Sequence, residues 1–204
     1  MRTSKLIVIT AEAIFEGEAA TLNRLFDRGM AILHLRKPFT AEAEIRNLLE
    51  QIDKRFHGRI VLHDRFSLLD TFRLKGVHLN WRNPTPPQQK GISVSCSCHS
   101  LEELRAAAKF DYVFLSPIFE SISKTGYVSA FSHETLQSAK ASGWINERVI
   151  ALGGISPETI PLALEYGFGG VAVLGALWGD FPKTKDEDAL MKRFDELRTM
   201  TQKQ

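Results

Sequence analysis

Short apolar runs and amphipathic segments alternate along this chain. Eight runs have β-strand character, and most end where turn-forming or polar residues begin. Most are continuously apolar rather than alternating, which is typical of parallel strands that are covered on both faces. The predicted strands are Lys5–Thr10, Ala31–Arg36, Arg59–His63, Gly76–Leu79, Ile92–Ser95, Tyr112–Ser116, Val149–Leu152 and Gly170–Leu174.

The segments between these runs show helical patterns. Thr40 is placed to cap a helix, and Ser100 with Glu103 has the spacing of a capping box. Ser156 followed by Pro157 predicts a helix that begins with proline in its first position. The tail predicts a last amphipathic helix, with apolar positions Leu190, Phe194, Leu197 and Met200.

Eight strands that alternate with helices, with no break in composition, predict an α/β fold, a (β/α)8 TIM barrel formed as a single domain by residues 1–204. The chain is compact for this fold, which usually takes about 250 residues. The segment from Asn80 to Gly91 contains three prolines, so we expect a shortened connection without a full helix between the fourth and fifth strands. An open, doubly wound sheet is the structural alternative.

The composition limits the class of protein. Apolar residues make up 44% and charged residues 25% of the 204 positions, which excludes disordered and disulfide-scaffold chains. The net charge of +2 does not indicate binding to nucleic acid or to a membrane surface. No apolar run approaches the roughly 18 residues of a membrane span, and the N-terminus does not resemble a signal peptide. Cys96 and Cys98 are too close for an ordinary disulfide, so we expect a cytoplasmic protein.

In a barrel of this kind the active site forms where the strands end. Gly153 and Gly154 follow the seventh predicted strand, and Leu174 and Gly175 lie at the end of the eighth. These two loops often hold a phosphate in barrel enzymes, and glycine lets the backbone approach a ligand closely. We therefore predict a phosphate site here; the alternative is that the glycines only relieve crowding at tight turns.

Two charged residues at the predicted mouth have a functional and a structural interpretation. Arg36 lies two residues beyond His34, so both point to one face of their strand, and Arg36 offers a bidentate fork to an anion. The alternative for Arg36 is a salt bridge at the rim. Asp64 offers oxygen ligands to a divalent ion, and its alternative is an ion pair with Arg36 or Arg65.

His99 is the predicted acid–base residue. It directly precedes the capping residue Ser100, so the dipole of the following helix favours a neutral imidazole, which can accept a proton and return it. The alternative is a turn histidine that is hydrogen-bonded to the backbone. His34 and His63 are weaker candidates at the same mouth, and the spacing of Cys96, Cys98 and His99 is not a usual structural zinc pattern.

Seven segments in chain order resemble signatures of the thiamine phosphate synthase/TenI superfamily. Each segment alone is weak, but the ordered set covers nearly the whole chain. The segments, with the superfamily signature in parentheses, are Ile32–Arg36 (V-Q-L-R), His63–Arg65 (N-D-R), Gly76–Leu79 (G-V-H-L), Ser116–Phe119 (G-P-x-F), Ser121–Lys124 (T-x-T-K), Ile150–Ile155 (A-x-G-G-I) and Gly170–Val173 (G-V-A-V).

The resemblance implies one of two activities on related ligands. The synthase joins a pyrimidine pyrophosphate to a thiazole phosphate with Mg²⁺ and releases pyrophosphate. The TenI branch isomerises a thiazole carboxylate phosphate by a proton shift that needs no metal. In either case the resemblance implies a small phosphorylated thiazole as substrate, with Ser121, Ser123 and Lys124 joining His34, Arg36 and the glycine loops in its binding site.

Departures from the synthase signature favour the TenI branch. The signature lysine two positions after Arg36 is replaced by Pro38, and its second magnesium carboxylate falls near Asn83. The segment from Ser97 to Glu103 resembles the TenI signature V-H-S-L-E-E, whose histidine is the one implicated in the proton shift. We therefore expect a thiazole tautomerase with His99 as its catalytic residue and no cofactor.

Two other functions stay open on the sequence alone. In a synthase, Asp64 would be the residue that holds Mg²⁺. In a non-catalytic binder or regulator of phosphate ligands, His99 would not be needed. We expect no nucleic-acid or membrane partner, and the sequence leaves a homo-oligomer open.

Overall fold

Eight parallel strands form a closed barrel in which each strand pairs with the next along the chain and β8 returns to β1. This architecture is seen in a computed structural model that describes residues 4–119 and 131–202. The predicted (β/α)8 barrel is confirmed and the open-sheet alternative is wrong. The strands are β1 (Lys5–Ile9), β2 (Ile32–Leu35), β3 (Ile60–Leu62), β4 (Gly76–Leu79), β5 (Ser93–Cys98), β6 (Tyr112–Leu115), β7 (Val149–Ala151) and β8 (Gly170–Val173).

Helices surround the barrel on the outside. The final helix extends over 16 residues and buries Leu190, Phe194 and Leu197, as its apolar spacing predicts. No helix in the described parts of the chain is long and apolar enough to cross a membrane. The helices are α1 (Glu18–Asp27), α2 (Glu42–Gln51), α3 (Leu101–Ala106), α4 (His133–Ala141), α5 (Ile160–Glu165), α6 (Gly175–Trp178), α7 (Phe181–Thr184) and α8 (Glu187–Gln202).

Three local predictions can be compared with these boundaries. No helix lies between β4 and β5, so the connection is shortened as the prolines predict. Ser100 caps α3 by accepting a hydrogen bond from the Glu103 amide at 3.2 Å. The prediction for Ser156 is wrong: α5 begins only at Ile160, because the Thr159 hydroxyl bonds the Ser156 amide at 2.8 Å and closes a turn before the helix.

The interior of the barrel has two different walls. An apolar wall comes from β1 and β6–β8, which contribute buried residues such as Ile7, Phe114 and Ile150. The opposite wall comes from β2 to β5 and is polar, with His34, His63, His78 and Ser95 all buried. The polar wall continues to the C-terminal end of the barrel, where the candidate site lies.

Candidate functional site

The inner face of β5 carries polar residues up to the mouth of the barrel. Ser95, Ser97 and His99 alternate along the chain, so they share one face, whereas Cys96 and Cys98 occupy the other. Cys98 is buried between barrel and helices and Cys96 packs against the same core, and both are free thiols. The cysteines are therefore structural residues of the outer layer rather than part of the site.

His99 stands at the exposed end of this row. Its Nδ1 lies 3.0 Å from the carbonyl oxygen of Ser116 in the neighbouring β6 loop. Because a carbonyl only accepts hydrogen bonds, Nδ1 carries the proton and donates it, which places the lone pair of the neutral ring on Nε2. The structure therefore contains the turn histidine bonded to the backbone, and Nε2 is the ring nitrogen left to accept a proton.

The glycine loop after β7 packs directly against the β6 loop. The backbone of Gly153 has φ of +91°, and a Cβ there would lie 2.9 Å from Pro117. The Phe119 amide donates to the Gly153 carbonyl at 3.1 Å, which joins the two loops. Gly154 follows with φ of +64°. The pair is therefore required by a tight turn, and this turn also brings bare backbone to the mouth beside His99.

The loop after β8 completes this side of the mouth. Leu174 directly follows β8 and precedes Gly175, the first residue of the short helix α6. The fold often binds phosphate between this loop, the loop after β7 and the start of a short extra helix. Three more predicted binding residues, Ser121, Ser123 and Lys124, lie outside the described residues.

Arg36 lies at the rim of the opposite side. Its guanidinium is paired with the Glu12 carboxylate, and the Arg36 side chain keeps 31% of its exposure. Its backbone is fixed to Thr10, whose hydroxyl accepts from the Arg36 amide at 3.0 Å. The structure therefore contains the rim ion pair that the sequence offers as the alternative, and anion binding by Arg36 stays a prediction.

Asp64 is held by a cation that the sequence analysis did not identify. Arg82 donates from Nε and from one terminal nitrogen to the two Asp64 carboxylate oxygens, at 3.0 and 3.2 Å. Asn83 adds a third hydrogen bond at 3.0 Å. The prediction that Asp64 pairs with Arg36 or Arg65 is wrong, because Arg36 binds Glu12 and Arg65 donates to the Thr40 carbonyl at 3.1 Å.

These contacts test whether the chain presents a magnesium site. Mg²⁺ prefers one or two free carboxylates together with substrate phosphate oxygens. Here both oxygens of Asp64 are engaged by a guanidinium, and the residue near which the resemblance puts a second carboxylate is the amide Asn83. The donor set around Asp64 therefore does not fit a resident Mg²⁺.

Lys37 is not available to a substrate. It is fully buried with Glu18, its Nζ lying 2.7 and 2.8 Å from the two carboxylate oxygens. It also donates to the carbonyls of Ala11 and Ala13 at 2.8 and 2.9 Å. This cation therefore ties the β1–α1 loop to β2, and among the residues that the structure describes the positive charge of the mouth comes from Arg36 and Arg82.

His34 lies below the mouth rather than at it. The ring is fully buried, with Nδ1 2.9 Å from His63 Nε2 and Nε2 2.7 Å from the Tyr112 hydroxyl. Both ring nitrogens therefore have partners in the barrel interior, and substrate binding by His34 stays a prediction. His63 stacks on His78 with ring centroids 4.3 Å apart.

All three of these imidazoles are neutral. Burial, reinforced by neighbouring charges, holds the pKa of His34 and of His63 well below the usual range. Burial alone lowers the pKa of His78 to about 3.

The sequence analysis missed two partners in this region, Arg82, which pairs with Asp64, and Tyr112, which is hydrogen-bonded to His34. Arg82 lies in the proline-rich segment, where no strand pattern assigned it a position.

Comparison with known proteins agrees with the motifs. The chain matches the family described as thiamine monophosphate synthase over residues 6–177. A thiamine-phosphate synthase from Cronobacter sakazakii is 27% identical over 166 residues, which cover 76% of this chain and 79% of the relative. The crystal structure of a thiamine phosphate pyrophosphorylase from Bacteroides thetaiotaomicron is 39% identical and covers 96% of both chains with a TM-score of 0.88.

A second solved structure supports the fold alone. A thiamine phosphate pyrophosphorylase from Pyrococcus furiosus has 22% identity and a TM-score of 0.74, covering 98% of this chain and 96% of its own. Because the family match extends over most of the chain and its signatures lie at the strand ends that form the mouth, this protein belongs to the thiamine monophosphate synthase family.

Proposed function

We propose that this protein is a thiamine-phosphate synthase, which joins hydroxymethylpyrimidine pyrophosphate to a thiazole phosphate and releases pyrophosphate. The observation that carries the proposal is the 39% identity to a thiamine phosphate pyrophosphorylase over 96% of the chain. This identity favours the synthase over the tautomerase that the departures from the signature predict. We assign the activity to residues 1–204 as one barrel domain.

The two sides of the mouth divide the substrates between them. Gly153 and Gly154, together with Leu174 and Gly175, offer backbone amides and close approach to the phosphate of the thiazole. Ser121, Ser123 and Lys124 belong to the same subsite by their match to the T-x-T-K signature. This arrangement leaves the arginine side of the mouth for the pyrophosphate.

Arg36 and Arg82 supply positive charge on that side. Arg82 pairs with Asp64 after β3, and Arg36 follows β2, the strand that pairs with β3, so both lie on the same side of the mouth. When the carbon–oxygen bond to pyrophosphate breaks and the pyrimidine carbon bonds to the thiazole, negative charge develops on the leaving group. Guanidinium forks stabilise such charge by bidentate hydrogen bonds.

The family uses Mg²⁺ for the same purpose, but Asp64 is already paired with Arg82 in this chain. We therefore assign charge compensation to the arginines and expect a smaller response to Mg²⁺ than two free carboxylates would give.

The second candidate is the TenI-type tautomerase, which one observation favours. His99 has its proton fixed on Nδ1 by the Ser116 carbonyl and presents a basic Nε2 at the exposed mouth, beside the glycine loop. A single base that takes a proton from one ring position and returns it at another is sufficient for tautomerisation. The third candidate, a non-catalytic binder, needs neither His99 nor the arginines.

An assay of the purified protein on both substrate sets, with and without Mg²⁺, tests the proposal. We expect thiamine phosphate and pyrophosphate to form together, and Arg82→Gln to slow this turnover by at least about 10-fold. Arg55→Gln is the matched control, because Arg55 is an exposed arginine paired with Asp27 away from the mouth. Isomerisation of the thiazole carboxylate phosphate without synthase turnover would transfer the assignment to the tautomerase. If neither substrate set is turned over, the non-catalytic binder is the remaining candidate.

A further inference from the structure

Three histidines from neighbouring strands converge inside the barrel. His34 lies on β2, His63 directly follows β3 and His78 lies on β4, and their side chains are only 0, 5 and 2% exposed. One ring nitrogen from each lies within 4.8 Å of the other two. At the first two positions the resembled signatures have glutamine and asparagine, so two departures from the signatures meet at one point.

Outer hydrogen bonds orient two of the rings toward one another. The Tyr112 hydroxyl lies 2.7 Å from His34 Nε2, and the Ser95 hydroxyl lies 2.9 Å from His78 Nδ1. Ser95 in turn donates to the Val77 carbonyl at 3.3 Å, so it is free to accept from His78. Protons on His34 Nε2 and His78 Nδ1 leave the lone pairs on His34 Nδ1 and His78 Nε2. The Ser97 hydroxyl lies 2.9 Å from His78 Nε2 and donates to it, and a metal ion would displace this hydrogen bond.

The lone pair on His34 Nδ1 takes part in a hydrogen bond with the third ring, that of His63. His34 Nδ1 and His63 Nε2 are 2.9 Å apart, a spacing that holds a single proton. Two imidazole nitrogens on a tetrahedral zinc ion stand about 3.3 Å apart, since each lies about 2.0–2.1 Å from the metal. Exchange of the proton for a metal ion therefore requires His34 and His63 to separate by about 0.4 Å. The ring nitrogen of His78, which lies within 4.8 Å of the other two, would move toward them by up to about 1.5 Å.

The chemistry of the donors selects the kind of ion. Three neutral imidazoles suit Zn²⁺ and similar transition metals, whereas Mg²⁺ requires oxygen ligands. Histidines that bind metals almost always donate their second ring nitrogen to a fixed acceptor, as Tyr112 and Ser95 allow here. We propose that His34, His63 and His78 form a buried three-histidine site for a divalent transition metal of the zinc type, distinct from Asp64.

Cobalt provides the direct probe, because Co²⁺ replaces Zn²⁺ and absorbs visible light when its site is tetrahedral. Metal-free full-length protein titrated with Co²⁺ should bind one equivalent and develop this absorption, and Zn²⁺ should abolish it. Zn²⁺ should also raise the midpoint of thermal unfolding, since the folded state alone assembles the site.

Four variants distinguish this site from non-specific binding of the metal ion. His34→Gln and His63→Asn restore the residues of the resembled signatures and should weaken Co²⁺ binding by more than about 100-fold. Tyr112→Phe removes only an outer partner and should weaken it by about 10–100-fold. His99→Asn, which changes an exposed histidine at the same mouth, should leave cobalt binding unchanged.

The proposal is overturned if no stoichiometric binding occurs, or if His34→Gln and His63→Asn bind Co²⁺ as tightly as the original protein. A thiolate-to-cobalt band in the near ultraviolet would instead assign the metal to Cys96 and Cys98. Should a variant fail to fold, X-ray absorption of the zinc-loaded original protein decides: three nitrogen neighbours at about 2.0–2.1 Å support the site, and any other ligand set refutes it.

Discussion

The buried ion pair between Lys37 and Glu18 allows a quantitative test of what holds the β1–α1 loop in place. Both side chains have zero exposure, and the Lys37 ammonium is bonded to the carboxylate and to two backbone carbonyls. In Lys37→Met the Glu18 carboxylate would remain buried, still accepting a hydrogen bond from the Phe15 amide at 3.4 Å. The variant therefore isolates the effect of an uncompensated charge.

The expected loss is large. Removing one partner of a buried ion pair destabilises a protein by about 3–5 kcal/mol, because the other charge stays in the interior. For a domain of this length 1 kcal/mol corresponds to roughly 2–4 °C in Tm, so Lys37→Met should unfold about 6–20 °C below the original protein. In Lys37→Met/Glu18→Leu both charges are absent, and the loss should be smaller than the sum of the two single losses by about 2 kcal/mol or more.

The pH dependence gives a second, independent readout. Burial raises the pKa of the Glu18 carboxyl even with Lys37 beside it, and removal of Lys37 raises that pKa further. A carboxyl whose folded pKa exceeds its unfolded value binds a proton preferentially in the folded state, so stability increases as pH falls through the raised folded pKa. The deficit of Lys37→Met relative to the original protein should therefore be greatest at pH 8 and shrink toward pH 5.

Urea unfolding followed by circular dichroism at pH 8, 7, 6 and 5 measures both quantities. Lys192→Met is the matched control, since it removes an exposed lysine from α8. The reasoning is refuted if Lys37→Met lies within about 1 kcal/mol of the original protein at pH 7. It is also refuted if the deficit grows as the pH falls.

Three further predictions concern the mouth. Gly154→Val should weaken the binding of a thiazole phosphate by at least about 10-fold in calorimetry while the barrel stays folded. Gly143→Val is the control, because Gly143 also has a positive φ, +75°, and it should leave the affinity unchanged. Equal affinities of the two variants would refute the phosphate assignment. His99→Gln should lower any tautomerase activity by about 100-fold without a comparable change in ligand affinity. Near-normal isomerisation by this variant would show that His99 does not transfer the proton. Arg82→Gln should release Asp64 and strengthen Mg²⁺ binding in a calorimetric titration, and an unchanged isotherm would show that Arg82 does not compete with the ion.

The order of elements and the barrel itself could be predicted from the sequence. Continuous apolar runs mark strands that are covered on both faces, and each predicted run overlaps the strand that forms there. Gly76–Leu79 matches its strand residue for residue, whereas β5 continues three residues beyond Ser95 to Cys98. The difference has a clear origin, because the Ser-Cys-Ser-Cys segment lacks the apolar run that identified the other strands.

The contacts at the mouth were decided only by the tertiary structure. The sequence places Asp64 near a strand end, but it does not reveal that Asp64 pairs with Arg82 from the proline-rich segment, or that Lys37 is buried in an ion pair with Glu18. The same holds for the three histidines, which are separated by 29 and 15 positions in the chain and meet in the barrel interior. Local patterns determine which face of a strand a side chain occupies, whereas the partner it meets depends on the register between strands and on barrel closure, which bring distant segments together.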